Sequence, residues 1–559
     1  MTAVPALLPP SPLSEDKAPL LAQLTDGLDG AALWWLSGYT AGLASRHGTP
    51  NLAVVPAAEA PNVTPLTVVY GSQTGNARRL AEKLAEQIEA AGLPVRLLRA
   101  DLYPLRELKN ERYLHVVIST QGDGDPPDDA RAFVEFLFGK RAPALPELKF
   151  AVLGLGDSSY PKFCEISRRL DARLAELGAT RWLPRGDVDL DIEAVANPWV
   201  ANALDLARQT LKPSAPPANV TALRRAPSAP AWTREQPFAA ELLVNQRITG
   251  RGSSKDIRHL EISLEGSGLA YEPGDALGVW PRNPPALVAE VLRSLKLDAD
   301  AEVTHAGHTL PLHTWLTEKR ELTRLLQLPT ARSALELVTT LRPLTPRLYS
   351  IASSQKAVGE EAHLTVAHVE YQRDGATRWG AASHFLATRE DGDRLPVYIE
   401  RNERFHLPRD GARDLIMIGP GTGVAPYRGF LQDRVATGAS GRHWLLFGNP
   451  HSRSDFLYQL EWQRALKNGQ LHRLDLAFSR DTSEKTYVQQ RLRENGRELY
   501  AWLQDGAHLY VCGDALRMAR DVQATLLEVI AEHGDKDAEQ AQDYLNELQR
   551  QGRYARDIY

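Results

Sequence analysis

Apolar positions change their period several times along this chain, and the changes mark out its parts. From Ala18 to Arg46 the pattern is helical, with Trp34, Trp35 and Tyr39 near one another and Pro/Ala-rich stretches on either side. A short helix carrying exposed aromatics needs a surface to cover. Residues 1–60 are therefore expected to pack on their own protein or to serve as an oligomerisation or partner segment. From Thr64 the runs LTVVYG, LHVVIST and KFAVLGLG are continuously apolar and end in small polar residues. Helical patterns (ARRLAEKLAEQIEAAG, DDARAFVEFLFG) follow the first two. Runs of this kind are buried parallel strands. They predict a doubly wound α/β domain over 64–211 that binds its ligand beyond the carboxyl ends of its strands.

The pattern then lapses. Residues 212–232 are rich in Pro, Ala and Ser, lack glycine and show no sustained periodicity. That composition predicts a semi-stiff linker, long enough for two domains to re-orient by tens of ångströms. Short β-like runs (ELLVNQRIT, RHLEISL, ALGVWP, HLTVAHVEY, LPVYIE) return over 233–410, interrupted by a helical insert at about 285–340. This predicts a β-barrel with a helical subdomain let into it. Over 411–559 the strand-like runs DLIMIG, HWLLFG, LDLAFS and HLYVCG recur between helices, which predicts a second α/β domain. No internal repeat is evident.

At 559 residues the chain is too long for a single core. With 43% hydrophobic and 24% charged residues its composition is that of a globular protein. A net charge of -5 leaves no basic footprint for nucleic acid. Two distant cysteines, Cys164 and Cys512, make neither a disulfide framework nor a zinc pattern, and no metal is expected. The first residues lack a signal-peptide pattern, and the apolar stretch 31–44 is too short to span a bilayer. A cytoplasmic protein is expected.

Four constellations carry chemistry. In YGSQTGNAR (70–78) a buried strand turns through small residues into a helix, so that backbone amides and hydroxyls can cradle a phosphate. A plain βα turn with an N-cap is the alternative. Two further loops, STQGDGDPPDDA (119–130) and LGLGDSSYPKFC (153–164), follow strand ends, the second placing Tyr160 where it can stack on a ring. The acidic cluster Asp123, Asp125, Asp128 and Asp129 is expected to be a solvated face, or a surface that steers a basic partner. RLYSIASS (347–354) offers a cation for a phosphate, an aromatic face and a hydroxyl, a set that suits a flavin. GPGTGVAPYRGF (419–430) lets backbone approach dinucleotide phosphates. Where the third strand-like run of this domain ends in FSR (478–480) and KTYVQ (485–489) follows, Ser479, Arg480 and Lys485 suit a 2′-phosphate, with Tyr487 and Gln489 beside them. No acidic residue ends that strand, so NADPH is favoured over NADH.

Taken together, these motifs resemble the diflavin reductase family over residues from about 20 to 559. The resemblance implies a flavodoxin-like FMN domain, a ferredoxin-reductase-like FAD barrel with a helical insert, and an NADP-binding α/β domain. It assigns FMN to Ser72, Gln73, Thr74, Gly75, Asn76 and Ala77, to Ser119, Thr120, Gln121 and Gly122, and to Leu155, Gly156, Asp157, Ser158, Ser159, Tyr160, Pro161, Lys162, Phe163 and Cys164. FAD is assigned Thr323, Arg347, Leu348, Tyr349 and Ser350. Thr365, Val366, Ala367, Tyr371, Gly380, Ala381, Ala382 and Ser383 complete that site. NADPH is assigned Gly421, Thr422, Gly423, Ser479, Arg480, Lys485, Thr486, Tyr487, Val488, Gln489 and Asp521. Ser350, Cys512 and Asp557 are placed at the hydride path, with Tyr559 covering the FAD ring. Within the family, WWLSGYTAG, NPHSRSDFLYQLEWQ and YARDIY resemble the flavoprotein subunits of NADPH-dependent sulfite reductases, although the insert looks short. That implies a siroheme/iron–sulfur hemoprotein (beta) subunit as electron acceptor in the reduction of sulfite to sulfide. A stand-alone reductase for another heme protein or small carrier, and a non-catalytic flavin-binding scaffold, are the other readings.

Overall fold

Alternation within the first strands sorts their side chains onto two faces of one sheet. In a computed structural model, which describes residues 64–121, 124–212, 232–323, 330–373, 376–515 and 517–559, the parallel order is β2-β1-β3-β4-β5, with β6 also on β4. These strands are β1 (Leu66–Gly71), β2 (Val95–Arg99), β3 (Tyr113–Ser119), β4 (Lys149–Leu155), β5 (Thr180–Arg181) and β6 (Gly186–Val188). Val68 and Val117 pack on one face with Leu80, Leu84 and Ile88 of the helix Asn76–Ala90. Val69, Val116 and Ile118 pack on the other face with Phe133 and Leu170. The order reverses between β1 and β3, which opens a crevice at their carboxyl ends. The expected N-terminal helix, Gly122 and most of the expected linker lie outside the described residues.

The second sheet is antiparallel, in the order β12-β9-β16-β7-β8-β13. Its strands are β7 (Phe238–Arg247), β8 (Ile257–Ser263), β9 (Ala276–Val279), β12 (Arg347–Ser350), β13 (Glu361–Ala367) and β16 (Arg394–Glu400). An isolated bridge, Ile351 to Leu364, joins the two end strands and closes the barrel around Leu242, Leu260, Ile262, Leu277 and Val397. Gly278 is required there, because a Cβ would run into the Tyr398 ring. The insert between β9 and β12 is only partly helical. It holds Pro285–Leu295, a π-helical turn at Trp315–Lys319 and Ala334–Thr340, but also the hairpin β10 (Glu302–His305) and β11 (His308–Pro311). Its own small core gathers Val291, Trp315, Leu316, Leu337 and Val338. A second hairpin, β14 (Glu370–Arg373) and β15 (Ala376–Trp379), leads into the helix Ala381–Ala387.

The last sheet is parallel, in the order β19-β18-β17-β20-β21: β17 (Leu415–Ile418), β18 (His443–Asn449), β19 (Arg473–Phe478), β20 (His508–Gly513) and β21 (Tyr554–Ile558). The order reverses between β17 and β20, so GPGTG and Cys512 meet at one crevice. Sequence patterning found four of these strands and missed β21. Contacts join all three parts into one unit, Thr64–Tyr559. Among the described residues no helix is long and apolar enough to cross a membrane.

Candidate functional site

The first loop cluster has polar atoms without partners. β1 ends at Gly71, and the chain turns through Gly75, at φ 77°, into the helix that starts at Asn76. Ser72 Oγ, Thr120 Oγ1 and Gln121 Oε1 are buried and unpartnered, although Ser72 N–H donates to both oxygens of Asp129 at 3.1 and 3.0 Å. Buried polar atoms are normally satisfied, so these three fit a polar ligand between the ends of β1 and β3. An FMN phosphate and ring edge match that need. Ser119 Oγ is turned toward Gly71 O at 3.5 Å, and Gln121 and Asp125 exchange backbone hydrogen bonds of 2.8 and 2.9 Å. In the third loop, Asp157 accepts from Ser159, and Ser158 donates to Asp189. Tyr160 is half exposed, as stacking on a ring requires, and Pro161 and Lys162 flank it at the surface. Ala77, Leu155 and Cys164 are buried, with burial pushing the Cys164 thiol up to about 12; these residues offer backbone rather than side chains.

Two of the four acidic residues depart from expectation; Asp125 is partly exposed, and Asp123 lies outside the described residues. Asp128 and Asp129 are buried, not solvated. Burial alone would lift the Asp128 carboxyl, but Arg556 and then Arg131 outweigh it and hold it below the usual range. Asp129 has no such partner at contact distance, and burial pushes it up to about 7.

On the barrel, β12 runs antiparallel to β9 and carries Arg347, Leu348, Tyr349 and Ser350 past Ala276. Arg347 Nη1 donates to Thr345 Oγ1 at 2.5 Å. The bridge closing the barrel brings Thr365, Val366 and Ala367 of β13 alongside. Thr365 Oγ1 lies 2.7 Å from Tyr458 Oη, and Val366 is buried in the barrel core. Gly380 leads into the helix that opens with Ala381, Ala382 and Ser383, and Ser383 Oγ accepts from Val369 N–H at 3.1 Å. Tyr371 is half-buried on the adjoining hairpin. Thr323 stands apart: its amide and hydroxyl both donate to Glu321, at 2.8 and 2.6 Å, and it is fully buried.

Three elements meet where the barrel adjoins the last sheet. Ser350 Oγ donates to Asp557 Oδ2 at 2.5 Å, and Cys512 Sγ donates to the same oxygen at 3.7 Å. Burial raises the pKa of both the Asp557 carboxyl and the Cys512 thiol. Tyr559 is pinned by backbone bonds to Gly513 O and from Ala515 N–H, and its hydroxyl sits 3.1 Å from Thr422 Oγ1. Yet the residue is 62% exposed. An anchored aromatic that buries so little of itself fits a ring stacked against it. One crevice is lined by Ser72, Gln73, Thr74 and Gly75 from the first domain and by Leu348, Ser350, Asp557 and Tyr559 from the others.

At the dinucleotide loop, Gly423 is obligatory because a Cβ would collide with Cys512 O. Gly421 takes φ 63°. Beyond β19, Ser479 is half-buried and Arg480, Lys485 and Tyr487 are exposed. Arg480 and Lys485 make no ion pair among the described residues, which leaves two cations for a phosphate. Thr486 is half-buried, Val488 points into the core, and Gln489 Nε2 donates to Asp521 at 3.1 Å. His259, Glu261 and His363 also converge. Tyr458, Glu361 and Arg428 engage their polar atoms, and that guanidinium opposes a cation.

Comparison with known proteins follows the same division. A flavodoxin model matches residues 68–199, an FAD binding domain matches 230–326 and 312–385, and an oxidoreductase NAD-binding domain matches 417–524. Proteins named sulfite reductase [NADPH] flavoprotein alpha-component are similar over the whole chain. The one from Shewanella sp. (strain ANA-3) is 47% identical over 599 residues, covering 98% of each chain. That from Escherichia coli O6:H1 is 47% identical over 604 residues and covers 100% of each. That from Sodalis glossinidius is 46% identical over 595 residues, 98% of each. The chain belongs to this family.

In this member of the sulfite reductase flavoprotein family the flavodoxin-type domain is docked on the other two by contacts that patterning did not reveal. Arg79 Nη1 grips both oxygens of Glu400 at 2.9 Å, Arg342 reaches Asp157 at 3.1 Å, and Arg520 reaches Asp125 at 3.2 Å. Arg556 pairs with Asp128, and Gln121 Nε2 donates to Ile558 O at 3.2 Å. The first domain thus meets the barrel at Glu400, the insert at Arg342 and the last strand at Arg556 and Ile558.

Proposed function

We propose that this chain passes electrons from NADPH through its two flavin sites to a siroheme/iron–sulfur hemoprotein (beta) subunit, for the reduction of sulfite to sulfide. It is an NADPH-dependent oxidoreductase with FMN, FAD and NADPH as cofactors. When bound, the flavins supply the exchange between two-electron and one-electron chemistry. The observation that carries the reading is the single crevice shared by the Ser72–Gly75 loop, Ser350, Asp557 and Tyr559.

The chain's own residues position and protect. Ser350 presents its hydroxyl in an orientation fixed by Asp557, and the buried carboxyl can hold a proton beside it. Cys512 closes the floor, and Tyr559 would cover the outer face of a bound flavin and supply an aromatic surface for it to stack on. Arg480 and Lys485 select the 2′-phosphate. The 212–232 linker releases the first domain to meet the acceptor, the N-terminal region mediates oligomerisation, and the protein works in the cytoplasm. Flavin extraction and anaerobic reduction test the relay. FMN and FAD in near-equal amounts, both reduced by NADPH and poorly by NADH, are expected. Sulfite-dependent NADPH oxidation is expected only when the hemoprotein is added; its absence with that partner would redirect the reading to another acceptor.

A further inference from the structure

From Ser72 to Asn76 the first loop has no cation of its own. The first two on the following helix are already engaged. Arg78 bonds Glu82 at 2.8 Å and Arg79 bonds Glu400. A third guanidinium reaches the loop from beyond the first domain. Arg234 Nη1 donates to Asn76 Oδ1 at 2.6 Å, the same oxygen that accepts from Arg79 Nη2 at 2.6 Å. Arg234 is braced from behind, with Trp280 Nε1 donating to its backbone oxygen at 2.7 Å and the Trp280 ring centroid 6.0 Å from its guanidinium.

The charges around it do not balance. No carboxylate lies within ion-pair distance of Arg234 among the described residues; Glu235 and Glu400 act on it from farther away, the first exposed to solvent and the second held by Arg79. Burial accordingly pushes the pKa of Arg234 down. A half-buried guanidinium whose acceptor is a neutral amide lacks a counter-charge. In the same loop Ser72 Oγ is buried with no partner. A phosphate dianion in this loop would satisfy the hydroxyl and supply the missing negative charge.

We propose that Arg234 completes the binding site for the FMN phosphate across the domain boundary, so that FMN binding and domain docking strengthen each other. This rests on the FMN reading of the loop. Linkage requires the effect to be mutual: whatever docking adds to FMN affinity, FMN adds to docking. Riboflavin, the same ring without the phosphate, gains nothing from Arg234.

The test uses the full chain stripped of FMN with FAD retained, titrated with FMN and with riboflavin by flavin fluorescence. In Arg234→Gln the preference for FMN over riboflavin should fall about tenfold, the value of one charge-assisted hydrogen bond. Riboflavin affinity should not change, and Arg234→Lys should keep most of the preference. An unchanged preference in Arg234→Gln overturns the assignment. A wild-type chain that does not favour FMN overturns the reading of the loop instead. If the variants fail to fold, amide exchange over 232–238 of the wild-type chain decides: it should be slower with FMN than with riboflavin, and equal rates overturn the proposal.

Discussion

Replacing Arg556 by methionine should loosen the first domain from the rest. Arg556 and Asp128 are each 5% exposed at the side chain, so the pair is screened little by solvent. Removing one partner of a buried pair costs about 3–5 kcal/mol, because the other charge is left uncompensated. Here Asp128 keeps Arg131 at 3.0 Å, and Gln549 still donates to its backbone oxygen at 3.2 Å. The loss should therefore be nearer 2 kcal/mol, or about 30-fold in the ratio of docked to undocked molecules. Distance distributions between one spin label on each domain, in the full flavin-loaded chain, read that ratio. Pairing Arg556→Met with Asp128→Asn should cost less than the two single changes added together, since the double variant leaves unpaired only Arg131, whose side chain is 27% exposed and can be hydrated. An unchanged distance distribution in Arg556→Met, or strict additivity in the double variant, would refute the reasoning.

Two further outcomes are expected. Asp129 has a folded-state pKa of about 7 against an ordinary 3.8, so the native chain keeps a proton that the unfolded chain has lost. The stability this gives is complete below about pH 4 and lost as pH rises through about 7. Thermal release of FMN should show that decline in the wild type and a flatter profile in Asp129→Asn; parallel profiles would contradict it. Gly423→Ala places a methyl on the Cys512 carbonyl, an overpacking worth about 1–3 kcal/mol. Flavin content should survive while reduction by NADPH slows and reduction by dithionite does not, and equal slowing with both reductants would mean general misfolding.

The parts of the fold that show a strong local period were legible. LTVVYG, LHVVIST and KFAVLGLG are strands buried on both faces, and such strands must be apolar throughout, whatever lies beside them. β21 was missed because YARDI carries Arg556 and Asp557 in mid-strand, breaking the apolar run. Those charges are tolerated because Asp128 and Ser350 receive them, and both partners lie far away in sequence. The Asp128–Asp129 pair misled for the same reason: a charge run reads as solvated unless its distant arginine is known. The turns at Gly75 and Gly423 were legible because a positive φ at the first and a close approach to Cys512 O at the second demand glycine there. Arg234 left no signal, since one arginine after a Pro-rich stretch resembles any other. Thr323 carries no comparable backbone signature, and its hydroxyl donates to Glu321 of its own segment.

The pairing of Asp128 with Arg556 spans 428 residues of chain. A ribosome working at roughly 5–20 residues per second needs about 20–90 s to cover that distance. The first domain has all its strands long before then, and it spends that interval with Asp128 lacking its principal cation. Among the described residues, Arg131, three residues away, is the one arginine at contact distance that is made early enough to hold the carboxylate in the meantime. Its second duty is thus as a temporary counter-ion during synthesis, standing in until the final strand arrives.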